Sequence, residues 1–262
     1  MSGGRKLAEM LAENLGYRCI SREVIIKTAD AYGIAEGKLF EAIQKSPSIF
    51  QKFTLEREHY LAFIQATLCE YAKDDNLIYH GHAGHFLLQG IDHVLRVRIV
   101  LDMADRIKTA AEQFRFSDKD ASKYIQRIDK ERVKWTKFLY GKDWRSSELY
   151  DIVFNLGQMG HEFVCEMIRH AVAQPRFQAT PDSRRAMSNL LIASRVRATL
   201  AGIPGMRLEY VDVQADGGKV VIRGRTKSQT LLEAMLDEAA TVPGVEDVVV
   251  DVEVDYRDYK IE

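Results

Sequence analysis

Between positions 106 and 145 the chain carries twelve Lys or Arg against six Asp or Glu, a local excess of +6 in a protein whose net charge is −1. Arg127, Asp129 and Arg132 are the sharpest part of this stretch. Positions 129 and 132 share a helix face, so the carboxylate can hold one guanidinium while both arginines face a common anion. Arginine suits that task because its planar fork grips phosphate oxygens at two points. Trp135, Tyr140 and Trp144 supply apolar anchors with which such a segment could close over a bound ligand and exclude water. For most of the other basic residues a solvated helix face is an equally good account.

A second place for an anion is the start of the chain. Ser2, Gly3 and Gly4 allow a tight turn, and Leu7, Met10, Leu11 and Leu15 then recur at helical spacing. The first amides of that helix have no partner within it and carry the positive end of its dipole, so with Arg5 and Lys6 beside them they suit a phosphate. An ordinary N-terminal cap is the plainer reading. His80, His82 and His85 lie within six residues, and imidazole is a common zinc ligand. No Cys, Asp or Glu stands beside them, however, so the turn is read as placing His82 near a substrate phosphate or base, or as capping the next helix, with no metal assigned.

The elements that must position these groups follow from hydrophobic period and from Gly, Pro and Ser punctuation. The pattern predicts a first helix ending near Gly16, an apolar step over 17–20, and a helix capped by Ser21 with Arg22 and Glu23 in its first turn. Further helices are expected over 35–45 and 54–73, the latter with Leu61, Ile64 and Leu68 on one face and Glu56, Arg57, Glu58 and Glu70 toward water. Strands are expected over 76–80, 94–101 and 150–154. The helices between and after them fall at 86–88, 103–114, 118–138 and 162–173. Strands separated by crossover helices imply a parallel sheet covered on both faces, with ligands beyond the carboxyl ends of the strands. Gly81, His82, Asp102 and Asn155 stand at such ends. The stretch 174–182 holds two of the five prolines and no periodicity, which marks a boundary. Beyond it come a helix over 183–200, strands over 208–214 and 219–223 around Asp216-Gly217-Gly218, a helix over 228–241 and a strand over 245–254, an αββαβ order.

Composition narrows the class. With 46% hydrophobic and 29% charged residues the 262-residue chain is that of a globular protein, long enough for two domains. A net charge of −1 gives no global argument for nucleic acid or an anionic membrane, and DNA or RNA is not expected as a partner. Cys19, Cys69 and Cys165 are far apart and read as reduced, buried thiols. With no apolar run near the roughly 20 residues of a membrane span and no signal-peptide core, a cytoplasmic location is expected.

The ordered segments Ser2-Gly3-Gly4-Arg5, Ser21-Arg22-Glu23-Val24-Ile25, Leu77-Ile78-Tyr79-His80-Gly81-His82-Ala83-Gly84, Val97-Arg98-Ile99-Val100-Leu101, Arg127-Ile128-Asp129-Lys130-Glu131-Arg132 and Tyr150-Asp151-Ile152-Val153-Phe154-Asn155 resemble the cytidylate kinase-like family of P-loop nucleoside monophosphate kinases. The resemblance implies an α/β P-loop fold over 1–175, ATP with Mg²⁺, and phosphoryl transfer to a nucleoside monophosphate, typically CMP. It implies that Ser2, Gly3, Gly4, Arg5 and Lys6 cradle the ATP phosphates and that Arg22, Gly81 and His82 line the acceptor site. Arg106, Arg127, Asp129 and Arg132 would form the clamp on the transferring group. Arg5 stands at the usual lysine position of the phosphate loop, Lys6 where a metal-binding hydroxyl is usual, and His82 where many relatives have arginine. A full phosphate loop follows a central strand, so an apolar strand upstream of Met1 is expected.

After a linker over 176–182, the segments Arg195-Val196-Arg197-Ala198-Thr199-Leu200, Gly218-Lys219-Val220-Val221-Ile222-Arg223-Gly224 and Val242-Pro243-Gly244-Val245-Glu246-Asp247-Val248 resemble a BON domain over 183–256. That resemblance implies a regulatory or protein-contact module, or phospholipid contact. The alternatives to a kinase are a nucleotide-sensing scaffold that has lost turnover and a lipid- or envelope-associated adaptor.

Overall fold

The computed structural model describes residues 3–21, 54–81 and 84–255, and the chain forms two compact units. In the first, helix α1 (Gly4–Leu15) lies between two left-handed glycines, Gly3 at φ 72° and Gly16 at φ 67°. Its Leu7, Ala8, Leu11 and Ala12 are buried, the face that the apolar spacing calls for. Gly16 turns the chain into strand β1 (Arg18–Ser21), which pairs in parallel with β2 (Leu77–His80), Arg18 opposite Leu77 and Ser21 opposite His80. After the short helix α3 (Gly84–Leu87) comes β3 (Val97–Val100), parallel to β4 (Ile152–Asn155) with Val97 opposite Ile152 and Val100 opposite Asn155.

Among the described residues the four strands pair two by two. One apolar cluster nonetheless receives side chains from both pairs: Ile78 of β2, Val97 and Ile99 of β3 and Phe154 of β4 meet Leu7 and Leu11 of α1 and Val164 and Ile168 of α7 (His161–Val172). Strand β3 is three residues shorter than expected at its start because Arg96 is held elsewhere. Its backbone N–H and guanidinium donate three hydrogen bonds of 2.8–3.1 Å to the Asp151 carboxylate. Burial pushes the Asp151 carboxyl up, but these bonds outweigh it and hold it below the usual carboxylate range. Ser21 closes β1 opposite His80. The helices expected at 22–32 and 35–45 lie outside the described residues.

Helices α4 (Met103–Phe114) and α5 (Asp118–Tyr140) are joined by three residues, with Arg115 in the left-handed region at φ 56°. Ser117 caps α5 by accepting from the Asp120 N–H at 3.2 Å. Ala110, Ala121 and Ile125 seal the pair against each other with no exposed surface. The short helix α6 (Leu156–Met159) follows β4 directly.

The second unit contains α8 (Pro181–Ala201), β5 (Val211–Asp216), β6 (Lys219–Thr226), α9 (Gln229–Ala240) and β7 (Asp247–Val254), in the αββαβ order read from the sequence. Strands β5 and β6 are antiparallel around Gly217 and Gly218, both at positive φ, and β6 pairs in parallel with β7. Residues 208–210, expected as strand, form a single tight helical turn instead. The unit holds one more element, α2 (Thr54–Ala72), whose Ala62, Phe63 and Ala66 share an apolar cluster with Val196, Leu200, Leu208, Ile222 and Met235. Glu58 and Glu70, expected in water, are paired with Arg197 and Arg195. The expected face of Leu61, Ile64 and Leu68 is too narrow, since Ala62, Phe63, Ala66, Thr67 and Cys69 are buried as well.

Candidate functional site

The backbone at the start of α1 is crowded by side chains from α6 and α7. A Cβ placed on Gly3 would lie 2.6 Å from Leu156 Cδ2 and 3.0 Å from His161 Nε2, so the left-handed glycine is required by space as well as by its φ. Gly3, in the N-cap position, has no side chain with which to cap the helix, and the first turn of a helix presents backbone amides of the kind that suits an anion. Arg5 and Lys6 are exposed, and Arg5 donates to Glu9 Oε1 at 2.8 Å along the helix. His161 carries a buried Nε2 with no hydrogen-bond partner among the described residues. The sequence reading missed it, since a lone histidine at a helix start gives no local signal.

Leu156 and Gly157 connect this helix start to the carboxyl end of β3. Asn155 accepts from the Gly157 N–H at 3.1 Å and its amide donates to Asp102 Oδ1 at 3.4 Å. Gly157 approaches Asp105 so closely that a Cβ there would lie 3.1 Å from Asp105 Oδ2. Asp102 and Asn155, expected at neighbouring strand ends, are thus brought together by the β3–β4 register. Gly81 is exposed just past His80 at the end of β2, beside Ser21 at the end of β1. Ser2, Arg22 and His82 lie outside the described residues.

One residue beyond Asp105, Arg106 reaches from α4 to α5. Its two terminal nitrogens donate to Asp129 Oδ2 at 2.7 Å and Oδ1 at 2.8 Å, with side-chain exposures of 19% and 25%. This corrects the expected local pairing: the Asp129 carboxylate is engaged fork to fork across two helices rather than by Arg132 on its own helix. Arg132 keeps an exposed flank, yet desolvation by the surrounding protein depresses its guanidinium pKa. Asp129 opposes that shift and the positive charge of Arg106 reinforces it. Such a crowded cation gains most from an added anion. Arg127 is exposed, with its guanidinium 5.5 Å from the Tyr124 ring centre.

Two of the three aromatic residues expected as anchors, Tyr140 and Trp144, are packed within the unit. Tyr140 stacks on Phe86 at 4.2 Å, the Arg98 guanidinium lies 5.1 Å over Trp144, and Tyr150 donates to the Trp144 carbonyl at 2.8 Å. These contacts hold the end of α5. His85 lies 4.0 Å from the Phe86 ring and 4.7 Å from Tyr150, and burial pushes its imidazole down to about 4. Among the described residues no group of three or more His, Cys, Asp or Glu is placed to hold a metal ion. Cys69 and Cys165 are buried and unpaired as disulfides, while Cys19 is half-buried rather than buried as expected.

Comparison with known proteins gives two matches along the chain. The profile of the cytidylate kinase-like family matches residues 1–158. That of the BON domain matches residues 188–256. A cytidylate kinase of Ignicoccus hospitalis is 30% identical over 171 residues, which are 64% of this chain and 91% of that protein. Among solved structures, an uncharacterized protein from Eubacterium ventriosum superposes with a TM-score of 0.49 at 17% identity, covering 65% of this chain and 91% of its own.

Proposed function

We propose, from the premise that the chain belongs to the cytidylate kinase-like family, that it transfers the terminal phosphoryl group of ATP to a nucleoside monophosphate, with CMP the favoured acceptor. The observation that carries this reading is the Arg106–Asp129 fork with Arg132 crowded beside it. A chain of close approaches leads from it through Asp105, Gly157 and Leu156 back to the Gly3 turn.

Phosphoryl transfer needs positioning and charge neutralisation more than a strong base. The Gly4, Arg5 and Lys6 amides, with Ser2 and Gly3 before them, bind phosphate oxygens of the donor. Arg106 is oriented by Asp129, so Arg132 and Arg127 are the guanidinium groups left to meet charge developing on the transferring group. Arg22, Gly81 and His82, which follow β1 and β2 in the sequence, hold the acceptor. Mg²⁺ commonly arrives on the phosphates and takes only one or two protein oxygens; Asp102 and Asn155, which lie together at the strand ends, would hold it, and it would supply charge neutralisation. Among the described residues no helix is long and apolar enough to cross a membrane. A cytoplasmic location belongs to the same proposal, as does a regulatory or protein-contact role for the BON domain.

One observation favours a second reading, a nucleotide sensor without turnover. Arg5, at the position where the family's phosphate loop usually has lysine, is 80% exposed in its side chain and paired with Glu9. Phosphoryl transfer from ATP to a panel of nucleoside monophosphates separates the two. Turnover with CMP that drops about 10²- to 10³-fold in Arg132→Ala supports the kinase. ATP binding with no turnover above that variant supports the sensor.

A further inference from the structure

Helix α2 sits between two strands of the first unit in sequence, since β1 ends at Ser21 and β2 begins at Leu77, and it falls inside the family match over 1–158. By packing it belongs to the second unit. Ala62 and Ala66, one turn apart and 2% and 0% exposed, let its backbone approach α8 closely. Phe63 enters the same cluster as Val196 and Leu200 of α8 and Ile222 of β6. Cys69 Sγ lies 3.7 Å from Ser194 Oγ, both buried.

Polar contacts fix the two ends of the helix. Near its start Glu58 pairs with Arg197 at 3.2 Å, and His59 Nε2 meets the Met206 carbonyl at 3.1 Å. Arg197 also donates to the carbonyls of Val211 at 2.7 Å and Leu208 at 3.2 Å, so the same guanidinium ties α2 to the chain entering β5. Near its end Glu70 pairs with Arg195, which donates in turn to the Pro243 carbonyl at 3.1 Å. Small residues at the contact, interlocked apolar side chains and half-buried charges paired at both ends are the features of a built interface, not of a loose docking.

Just past the end of α2 at Ala72 the chain re-enters the first unit at Asp74, forms β2 from Leu77 to His80 and reaches Gly81. Gly81 is placed on the acceptor side by the kinase reading, on which this step rests. We propose that the BON-containing unit is the control surface for the acceptor half of the reaction. By holding α2 it sets how the strand that follows, β2, and Gly81 at its end are presented, and loosening it weakens acceptor handling while leaving ATP handling alone.

The test uses the full chain and two variants, Ile222→Ala in β6 and the milder Glu58→Gln/Glu70→Gln. Amide hydrogen exchange and steady-state kinetics are read on each. The expected result is that exchange in Thr54–Ala72 and Pro181–Ala201 accelerates by the same factor, about tenfold or more in Ile222→Ala. Exchange over 18–21 and 77–80 should accelerate at least about threefold relative to His161–Val172. The KM for CMP should rise about fivefold or more while that for ATP stays within about twofold. Exchange in Thr54–Ala72 that keeps its wild-type rate while Pro181–Ala201 loosens overturns the proposal, as does joint loosening with no acceleration over 18–21 and 77–80. Joint loosening with an unchanged CMP KM in an active enzyme overturns it too. Absence of turnover in the wild-type chain sinks the kinase reading by itself, and the exchange measurements then decide whether the C-terminal unit controls β2.

Discussion

The two units solve the burial problem differently. In the second, the eight-residue pairing of β6 with β7 lies over a core in which Val196, Leu200, Leu208, Val220, Ile222 and Met235 have no exposed surface. In the first, every residue of β2 and β3 is half-buried, the strands are four residues long, and the Asn155–Asp102 contact at the strand ends is exposed while the Arg106–Asp129 fork between α4 and α5 is half-buried. A unit that must bind anions keeps backbone amides and strand termini accessible, and it gives up part of the sheet's burial to do so. The other unit closes its core. The contrast predicts that backbone changes in the second unit cost stability, whereas side-chain changes at the strand ends and clamp of the first cost activity.

The largest effect is expected at Gly224. Its φ of 141° is one that side chains rarely adopt, and a Cβ there would lie 1.9 Å from the Tyr210 carbonyl oxygen, a backbone atom that cannot step aside. Gly224→Ala should lower stability in urea unfolding by about 4 kcal/mol or more. If the two units differ as described, the unfolded fraction should lose protection over Thr54–Ala72 while the α7 amides stay protected. A variant as stable as the parent would break the comparison from the side of the second unit.

On the other side, Arg106→Ala removes both hydrogen bonds to Asp129 and releases that carboxylate toward Arg132. Phosphoryl transfer should fall by about 10²- to 10³-fold, with a stability loss of only about 1 to 3 kcal/mol. Turnover within threefold of the parent would show that the fork between α4 and α5 is scaffolding. A smaller sharpening comes from Ser228, whose Oγ accepts from the Leu231 N–H at 3.2 Å at the start of α9. Ser228→Ala should cost about 1 kcal/mol in unfolding and leave CMP turnover unchanged within twofold.

Much of this was legible in the sequence where the signal is local. The 103–114 helix emerges with the expected bounds, Asp216-Gly217-Gly218 makes the expected hairpin, and the order of elements in the C-terminal unit follows from period and turn residues. Strand ends were less legible because they depend on partners. Arg96 leaves β3 for Asp151 on a segment 55 residues away, and no periodicity records that contact. The clamp was half legible for the same reason. Asp129 and Arg132 announce themselves by spacing, but the true partner of Asp129 comes from another helix. The placement of α2 was the least legible. Its alanines and acidic residues read as an ordinary half-exposed helix, and only the fold reveals the Arg195 and Arg197 side chains that meet Glu70 and Glu58.

The effect that is silent at neutral pH is also the one that isolates the core of the first unit from its site. His85 sits against Phe86 and Tyr150, its Nε2 is buried with no hydrogen-bond partner among the described residues, and burial, with the nearby Arg96 charge, lowers its pKa from 6.5 to about 4. Between those values the unfolded chain binds a proton at this position and the folded one does not. The contribution of the neutral ring to stability is therefore complete above pH 6.5, declines as pH falls toward about 4, and is flat below. His85→Phe, which keeps the aromatic contacts and removes the titration, should flatten the pH dependence of urea stability over that window without altering the curve above pH 7. An unchanged slope would mean that the proton is taken up elsewhere, and would move the acid sensitivity of the first unit from its aromatic core to its carboxylate pairs.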